Sequence, residues 1–221
     1  MFLKVTQMQQ VAIRTRVRRP PITGFKPIRW LGAAGFVPTD DVTMGIDPSL
    51  TATGVAIQVR DQLKHFLLTP EIMVPGVRPG TSKKVMLMGP ARLAWFRNQF
   101  CDIFETYRPT KLAIEGYSFG SKNGREALGE LGGVLRLAAH DCRLTTIIVP
   151  PNTLKQFATG KGNVGKGVII KEAFRRWDID VSDDNEADAS VLSLMASAHE
   201  VDAPLTAFQE TAMSKVEVMR Q

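Results

Sequence analysis

Three carboxylates stand where folding alone gives no reason for them. Asp47 closes an apolar stretch in MGIDPS, Glu115 closes another in LAIEGYS, and Asp188 sits among small and apolar residues in DDNEADASVLSLM. Charges beside apolar strand residues are rarely buried unless they are paired or bound to a metal. Each acid alone has an ordinary reading: a strand-end acid facing water, or an acid in the first turn of a helix, favoured by the macrodipole. Together they recur at the ends of elements that can lie side by side. Hard oxygen ligands on rigid elements at one sheet edge are what a divalent cation needs.

The elements that must position them follow from the apolar pattern. Val42–Asp47, Thr53–Val59 and residues 63–68 read as three short strands. The polar turn at Asp61-Gln62 makes them an antiparallel meander. Pro75 to Pro79 reads as loop. Pro90 suits a helix start, and residues 91–107 carry Leu93, Trp95, Phe96, Phe100, Ile103 and Phe104 at helical spacing. Lys111–Glu115 is a fourth strand, 124–142 a helix, and Thr145–Val149 a fifth strand closed by Pro150-Pro151. Helices over 153–158, 167–177 and 186–200 complete an α/β pattern: a mixed five-stranded sheet, the meander plus parallel strands, flanked by helices.

Charge divides the chain unevenly. Of 28 Lys and Arg, seven lie in residues 1–39 with no acid among them; the remainder holds 21 against 22 Asp and Glu, a net of −1. A basic arm, 1–40, therefore precedes a near-neutral domain, 41–200, and a tail, 201–221. The arm fits a segment that tracks nucleic-acid phosphate or an acidic partner. A cleaved organellar presequence is the alternative, needing an amphipathic helix within residues 2–13, and part of the arm ordering on the body is a third. No apolar run reaches the ~18 residues of a membrane span, so no membrane partner is expected. Cys101 and Cys142 have no metal-like spacing, which argues against a disulfide scaffold or zinc site and fits a reducing compartment.

The segments that hold the acids resemble the RuvC family of Holliday-junction resolvases, in the RNase H-like superfamily, from about Thr43 to His199. Gly45-Ile46-Asp47-Pro48-Ser49 with Thr53-Gly54 is similar to the family's first motif, Ala113-Ile114-Glu115 to its second, and Glu186-Ala187-Asp188-Ala189 to its last. The segment from Pro150 to Lys171 resembles the family's strand end, short helix and glycine-containing loop. The resemblance implies an RNase H-like fold and a structure-selective endonuclease that resolves four-way junctions by paired nicks. It implies Asp47, Glu115 and Asp188 as ligands of two Mg²⁺ ions, with Mn²⁺ as a substitute. Lys155 and Lys166 fall where the family has basic residues serving DNA and the scissile phosphate. A C2 homodimer and the cytoplasm of a bacterial or phage-infected cell follow from the same resemblance.

The departures are specific. The family's usual fourth ligand, three residues before the helix acid, is here Asn185; either it or Asp184, one turn before Asp188, is the auxiliary ligand. The aromatic wedge near the junction centre is Phe119 or Tyr117. Lys122 and Arg125, beside them, and Lys161 are further candidates for DNA contact. The basic arm suggests a phage or otherwise divergent member. The helix over 124–142 carries Gly129, Gly132 and Gly133, which suit either a dimer seam or close packing on its own sheet.

The run 160–167 (GKGNVGKG) nearly matches a phosphate-binding P-loop, but Gly167 stands where Ser or Thr would hold magnesium, and a helix rather than a strand precedes it. His65, His140 and His199 lack ligand spacing and read as surface or helix-end residues. Two rivals to the resolvase remain: a less selective nuclease of branched or flap DNA, and a DNA-binding protein of the same fold whose activity was lost with Asn185.

Overall fold

The computed structural model describes residues 24–28, 41–78, 80–116, 125–165, 167–199 and 204–219. Nine strands and six helices occur among them: β1 (Lys26–Pro27), β2 (Val42–Asp47), β3 (Thr53–Val59), β4 (Gln62–Leu68), β5 (Glu71–Pro75), β6 (Ser82–Met86), α1 (Gly89–Tyr107), β7 (Lys111–Glu115), α2 (Arg125–Asp141), β8 (Thr145–Val149), α3 (Pro151–Thr159), α4 (Val168–Trp177), α5 (Asp184–Ala198), α6 (Ala207–Met213) and β9 (Glu217–Met219).

The main sheet runs β1-β4-β3-β2-β7-β8-β9. The β2–β3–β4 meander is antiparallel, while β7 pairs parallel to β2 and β8 parallel to β7. These are the five strands read from the sequence. The two added strands are edge pairings: Lys26 and Pro27 meet Leu63 and Gln62, and β9 lies antiparallel to β8. Both are too short to show alternation in the sequence. A separate two-stranded ribbon, β5–β6, flanks the segment from Pro75 to Pro79 read as loop and is built on residues to which the sequence pattern assigns no element.

Strand residues alternate between two apolar layers. Met44, Ile46, Val55 and Ile57 face α1 and α2, where Phe96, Phe100 and Phe104 stack along one helix face at fourfold spacing and meet Leu131 and Leu135. Ala56, Ala113, Ile147 and Val149 face the other way, onto α3, α4 and α5. Helix α5 is the central element of that layer. Its residues from Ala189 to Ala198 are all buried, so it lacks the polar stripe of a surface helix.

Candidate active site

The acids converge through register. Ile46 pairs with Ile114 in the parallel β2–β7 ladder, so Asp47 and Glu115 leave neighbouring strands at the same level. Strand parity turns both toward α5: Thr43 Oγ1 donates to the Ser193 carbonyl at 3.2 Å, and Ala113 packs in the layer holding α5. Asp47 is only 5% exposed. Behind it, Thr53 Oγ1 donates to the Ser49 carbonyl at 2.7 Å and accepts from Ser49 N at 3.1 Å, which fixes the Asp-Pro turn.

Glycines bring the third acid in. A Cβ on Gly45 would collide with the Ala189 carbonyl and Ser193 N, and one on Gly54 with the Asn185 carbonyl. Only hydrogen at these positions lets α5 lie against β2 and β3 with Asp188 facing the strand ends. Asp183 caps the helix, its Oδ1 accepting from Asn185 N at 2.8 Å and Glu186 N at 3.3 Å. Asn185 Nδ2 donates to the Ala52 carbonyl at 2.8 Å, tying the helix start to the β2–β3 turn. Helix already begins at Asp184, which therefore lies one turn from Asp188 on the same face.

These groups line one cleft of about 820 Å³, together with Lys155, Gly165 and Gly167. Their electrostatics are strained. Asp47 is held well above the ordinary carboxylate range, by burial first and then by Glu115, which shares a hydrogen bond with it; Asp188 and Asp183 add to the effect. Burial also raises Glu115, against the lowering effects of the Asp47 hydrogen bond and the Lys155 charge. Asp188 is pushed up to about 7 by burial and then by Glu115 and Asp184, with Lys155 opposing. Among the described residues, no three acids close into a ready-made metal cage. The donor set nonetheless fits a hard divalent cation: buried carboxylate oxygens whose mutual repulsion an ion would relieve.

Of the basic candidates, Lys155 reaches the cleft from α3. Lys161 is exposed beyond the helix end, where its backbone N meets Thr159 Oγ1 at 3.1 Å, and Arg125 is exposed at the start of α2. Lys166, Tyr117, Phe119 and Lys122 lie outside the described residues. The sequence assigns no role to Gly45, Gly54 or Asp183 as single residues; their signal is only that they flank the acids. His65 is not a surface residue: it sits in β4 with Nδ1 3.3 Å from Glu186 Oε1, both side chains largely covered, because α5 crosses that strand.

Carboxylates at the ends of two adjacent central strands, faced by a third on the long helix behind them, mark the RNase H-like class of nucleases. The assignment within that class is narrower: the model of the family "crossover junction endodeoxyribonuclease RuvC" matches residues 43–190, and the chain belongs to this family. Membership carries a general dependence on a divalent metal. The chain is 29% identical over 178 residues to the RuvC of Nocardia farcinica, covering 78% of this chain and 87% of that one. It is 28% identical over 163 residues to the RuvC of Pelotomaculum thermopropionicum, covering 71% and 92%. Its fold matches Thermus thermophilus RuvC, solved in complex with a Holliday junction substrate, with a TM-score of 0.55 at 20% identity, covering 81% of this chain and 99% of that one.

Proposed function

We propose that this protein resolves four-way DNA junctions, hydrolysing one phosphodiester in each of two like strands, with Asp47, Glu115 and Asp188 as the metal-holding acids. The observation that carries the reading is the convergence of these three acids with Lys155 in one cleft of a chain that belongs to the RuvC family. Mg²⁺, with Mn²⁺ as a substitute, is the cation the all-oxygen donor set suits. When bound, the metal supplies a more acidic attacking water and stabilises charge on the leaving oxygen.

The chain's own residues do the rest. Asp47 and Glu115, on rigid strand ends, fix where the reacting phosphate can sit. Asp188 closes the site from α5, with Asp184 as the auxiliary acid on the same helix face, while Asn185 anchors the helix start through its Nδ2 bond to the Ala52 carbonyl. Lys155 brings positive charge to a phosphate held between the acids, and Lys166 is the second cation of this kind. Water adds to phosphorus and the 3′ oxygen leaves, giving 5′-phosphate and 3′-hydroxyl ends.

Paired nicks need two sites, hence a C2 homodimer. Support comes from α2, where a Cβ on Gly129 or Gly133 would meet open space and Leu137, on the same face, is 56% exposed. Among the described residues, none comes within reach of a Cβ at these glycines. Work on cellular DNA fits the cytoplasm of a bacterial or phage-infected cell. The divisions 1–40, 41–200 and 201–221 are proposed on charge and function alone, since Lys26–Pro27 pairs with β4 and the last strand pairs with β8 in the main sheet. The decisive experiment is metal-dependent cleavage of a synthetic four-way junction compared with duplex, fork and flap. Asp47→Asn, Glu115→Gln and Asp188→Asn are each expected to abolish cleavage while retaining junction binding. Equal rates on junction and duplex would replace the resolvase with a general nuclease, and binding without cleavage would replace it with a structural protein.

A further inference from the structure

The β5–β6 ribbon has no part in the site or in the core. None of its side chains belongs to either apolar layer. A lone two-stranded ribbon gains little stability of its own. It nevertheless has five paired positions, from Glu71↔Met86 to Pro75↔Ser82, and is tied at its base by Leu87 N donating to the Pro70 carbonyl at 2.7 Å.

Topology puts that base at the working edge of the sheet. Asp47 pairs with Gly54, Gly54 with Leu67, and Thr53 with Leu68, so β4 ends where β2 and β7 present their acids. The ribbon departs there, two strands from Asp47, or about 10 Å across the sheet, and extends for about 17 Å. Its charge is basic, set among exposed Ile72, Met73 and Val85. Arg78 stands at the turn and Lys83 and Lys84 on β6, against one acid, Glu71, at the base, where Lys84 Nζ lies 3.2 Å from Glu71 Oε2. Val77, at the tip, is fully exposed.

We propose that the β5–β6 ribbon is a DNA-holding arm that lies along the duplex leading away from the scissile phosphate, with Arg78, Lys83 and Lys84 on its phosphates. The inference rests on the DNA-cleaving reading above. Duplex DNA carries one negative charge per ~1.7 Å of axis, so a ribbon of this length faces several phosphates at once. The width of a two-stranded ribbon also suits the major groove. The competing explanation is that the lysines merely guard an exposed edge against pairing with another chain.

The test is junction affinity across a salt series for the wild type, for R78A/K83A/K84A and for V77E. The triple variant is expected to bind at least tenfold more weakly at low salt, and the slope of log affinity against log salt should flatten by about 0.9 for each phosphate no longer neutralised. Val77→Glu disturbs nothing within the fold and places a negative charge at the tip; it should weaken binding severalfold. Unchanged affinity and slope in both variants would overturn the proposal, as would self-association of the triple variant with DNA affinity intact, which is the edge-guarding outcome. A wild type that itself fails to bind the junction would instead overturn the underlying function, so the two failures are distinct.

Discussion

Asp47 and Glu115 share a hydrogen bond across the parallel β2–β7 pair, at the level just past Ile46 and Ile114. Two carboxylates can do this only if one carries a proton. A divalent ion held by both oxygens would take the place of that proton and relieve the repulsion between the two groups.

Stability should record that substitution. For Asp47, Glu115 and Asp188 the folded protein holds protons more tightly than the unfolded chain. Their contribution is thus full below the ordinary carboxylate range, near pH 4, and is lost as pH rises through about 7 for Asp188. In chelator, the melting temperature is expected to fall across that window. At pH 7.5, Mg²⁺ at 100 times its dissociation constant should restore ~2.7 kcal/mol. Asp47→Asn should melt higher than wild type in chelator, by roughly 2–8 °C for a gain on the order of 1–2 kcal/mol, and respond less to Mg²⁺. Melting curves that neither depend on pH nor respond to Mg²⁺ would remove these acids as the metal site.

The two candidates for auxiliary ligand should separate by what each loses. Asn185→Ala deletes the bond to the Ala52 carbonyl and should cost about 1 kcal/mol of stability with a modest loss of cleavage. Asp184→Ala leaves that bond and is expected to lower cleavage more than tenfold with little change in melting. The reverse pattern would make Asn185 the ligand.

Gly45 and Gly54 decide how close α5 can come. Gly45→Ala puts a methyl group into the Ala189 carbonyl and Ser193 N. Backbone cannot step aside as a side-chain tip can, so a loss of ~1–3 kcal/mol or more is expected, although alanine suits strands no worse than glycine. Cleavage assayed well below the melting temperature should fall further than stability, because Asp188 moves with the helix. A Gly45→Ala variant that cleaves at the wild-type rate would show that α5 need not sit where it does.

The α2 face that carries Gly133, unfilled among the described residues, gives a test of assembly. In a lone helix, Gly133→Ala should stabilise by ~0.5–1 kcal/mol. If that face is the dimer seam, Gly133→Leu should shift the protein toward monomer by ultracentrifugation and leave single nicks in place of paired ones. A dimer unaffected by Gly133→Leu and Gly129→Leu would move the interface elsewhere.

Asp47 and Glu115 were legible because a carboxylate at the end of an apolar strand breaks the pattern that packing would write, and Asp188 because it stands among small and apolar residues near the start of a helix. The meander, the parallel strands and the long helices were legible for the converse reason: their alternation is strong and their ends carry proline or polar turns. Other features left weaker marks. Glu71–Pro75 and Ser82–Met86 are exposed on both faces, so no periodicity separates them from loop. β1 and β9 are edge strands of two and three residues, set by their neighbours. Gly45, Gly54 and the Asn185–Ala52 bond, whose ends lie 133 residues apart, express how the first strands meet a helix far along the chain, and a local pattern cannot contain that.

Tertiary structure also changes how the basic arm should be tested. Deleting residues 1–39 removes seven positive charges, but it also removes Lys26–Pro27 from the edge of β4 and Ile28, which packs with Leu63 in the core. Weaker binding in that deletion would mix charge with folding. Deleting 1–23 is cleaner, since it takes away Lys4, Arg14, Arg16, Arg18 and Arg19 and keeps the pairing of Lys26 and Pro27 with β4. If those residues track phosphates, the shorter deletion should leave the melting temperature unchanged and flatten the salt dependence of junction binding by about 0.9 per phosphate no longer neutralised. The longer deletion should add a lower melting temperature, because an edge pairing and a buried isoleucine go with it. Identical salt slopes for full-length protein and the 1–23 deletion would take DNA away from the arm and give it to an acidic protein partner, and a pull-down with an acidic peptide would then bind the full chain but not the deletion.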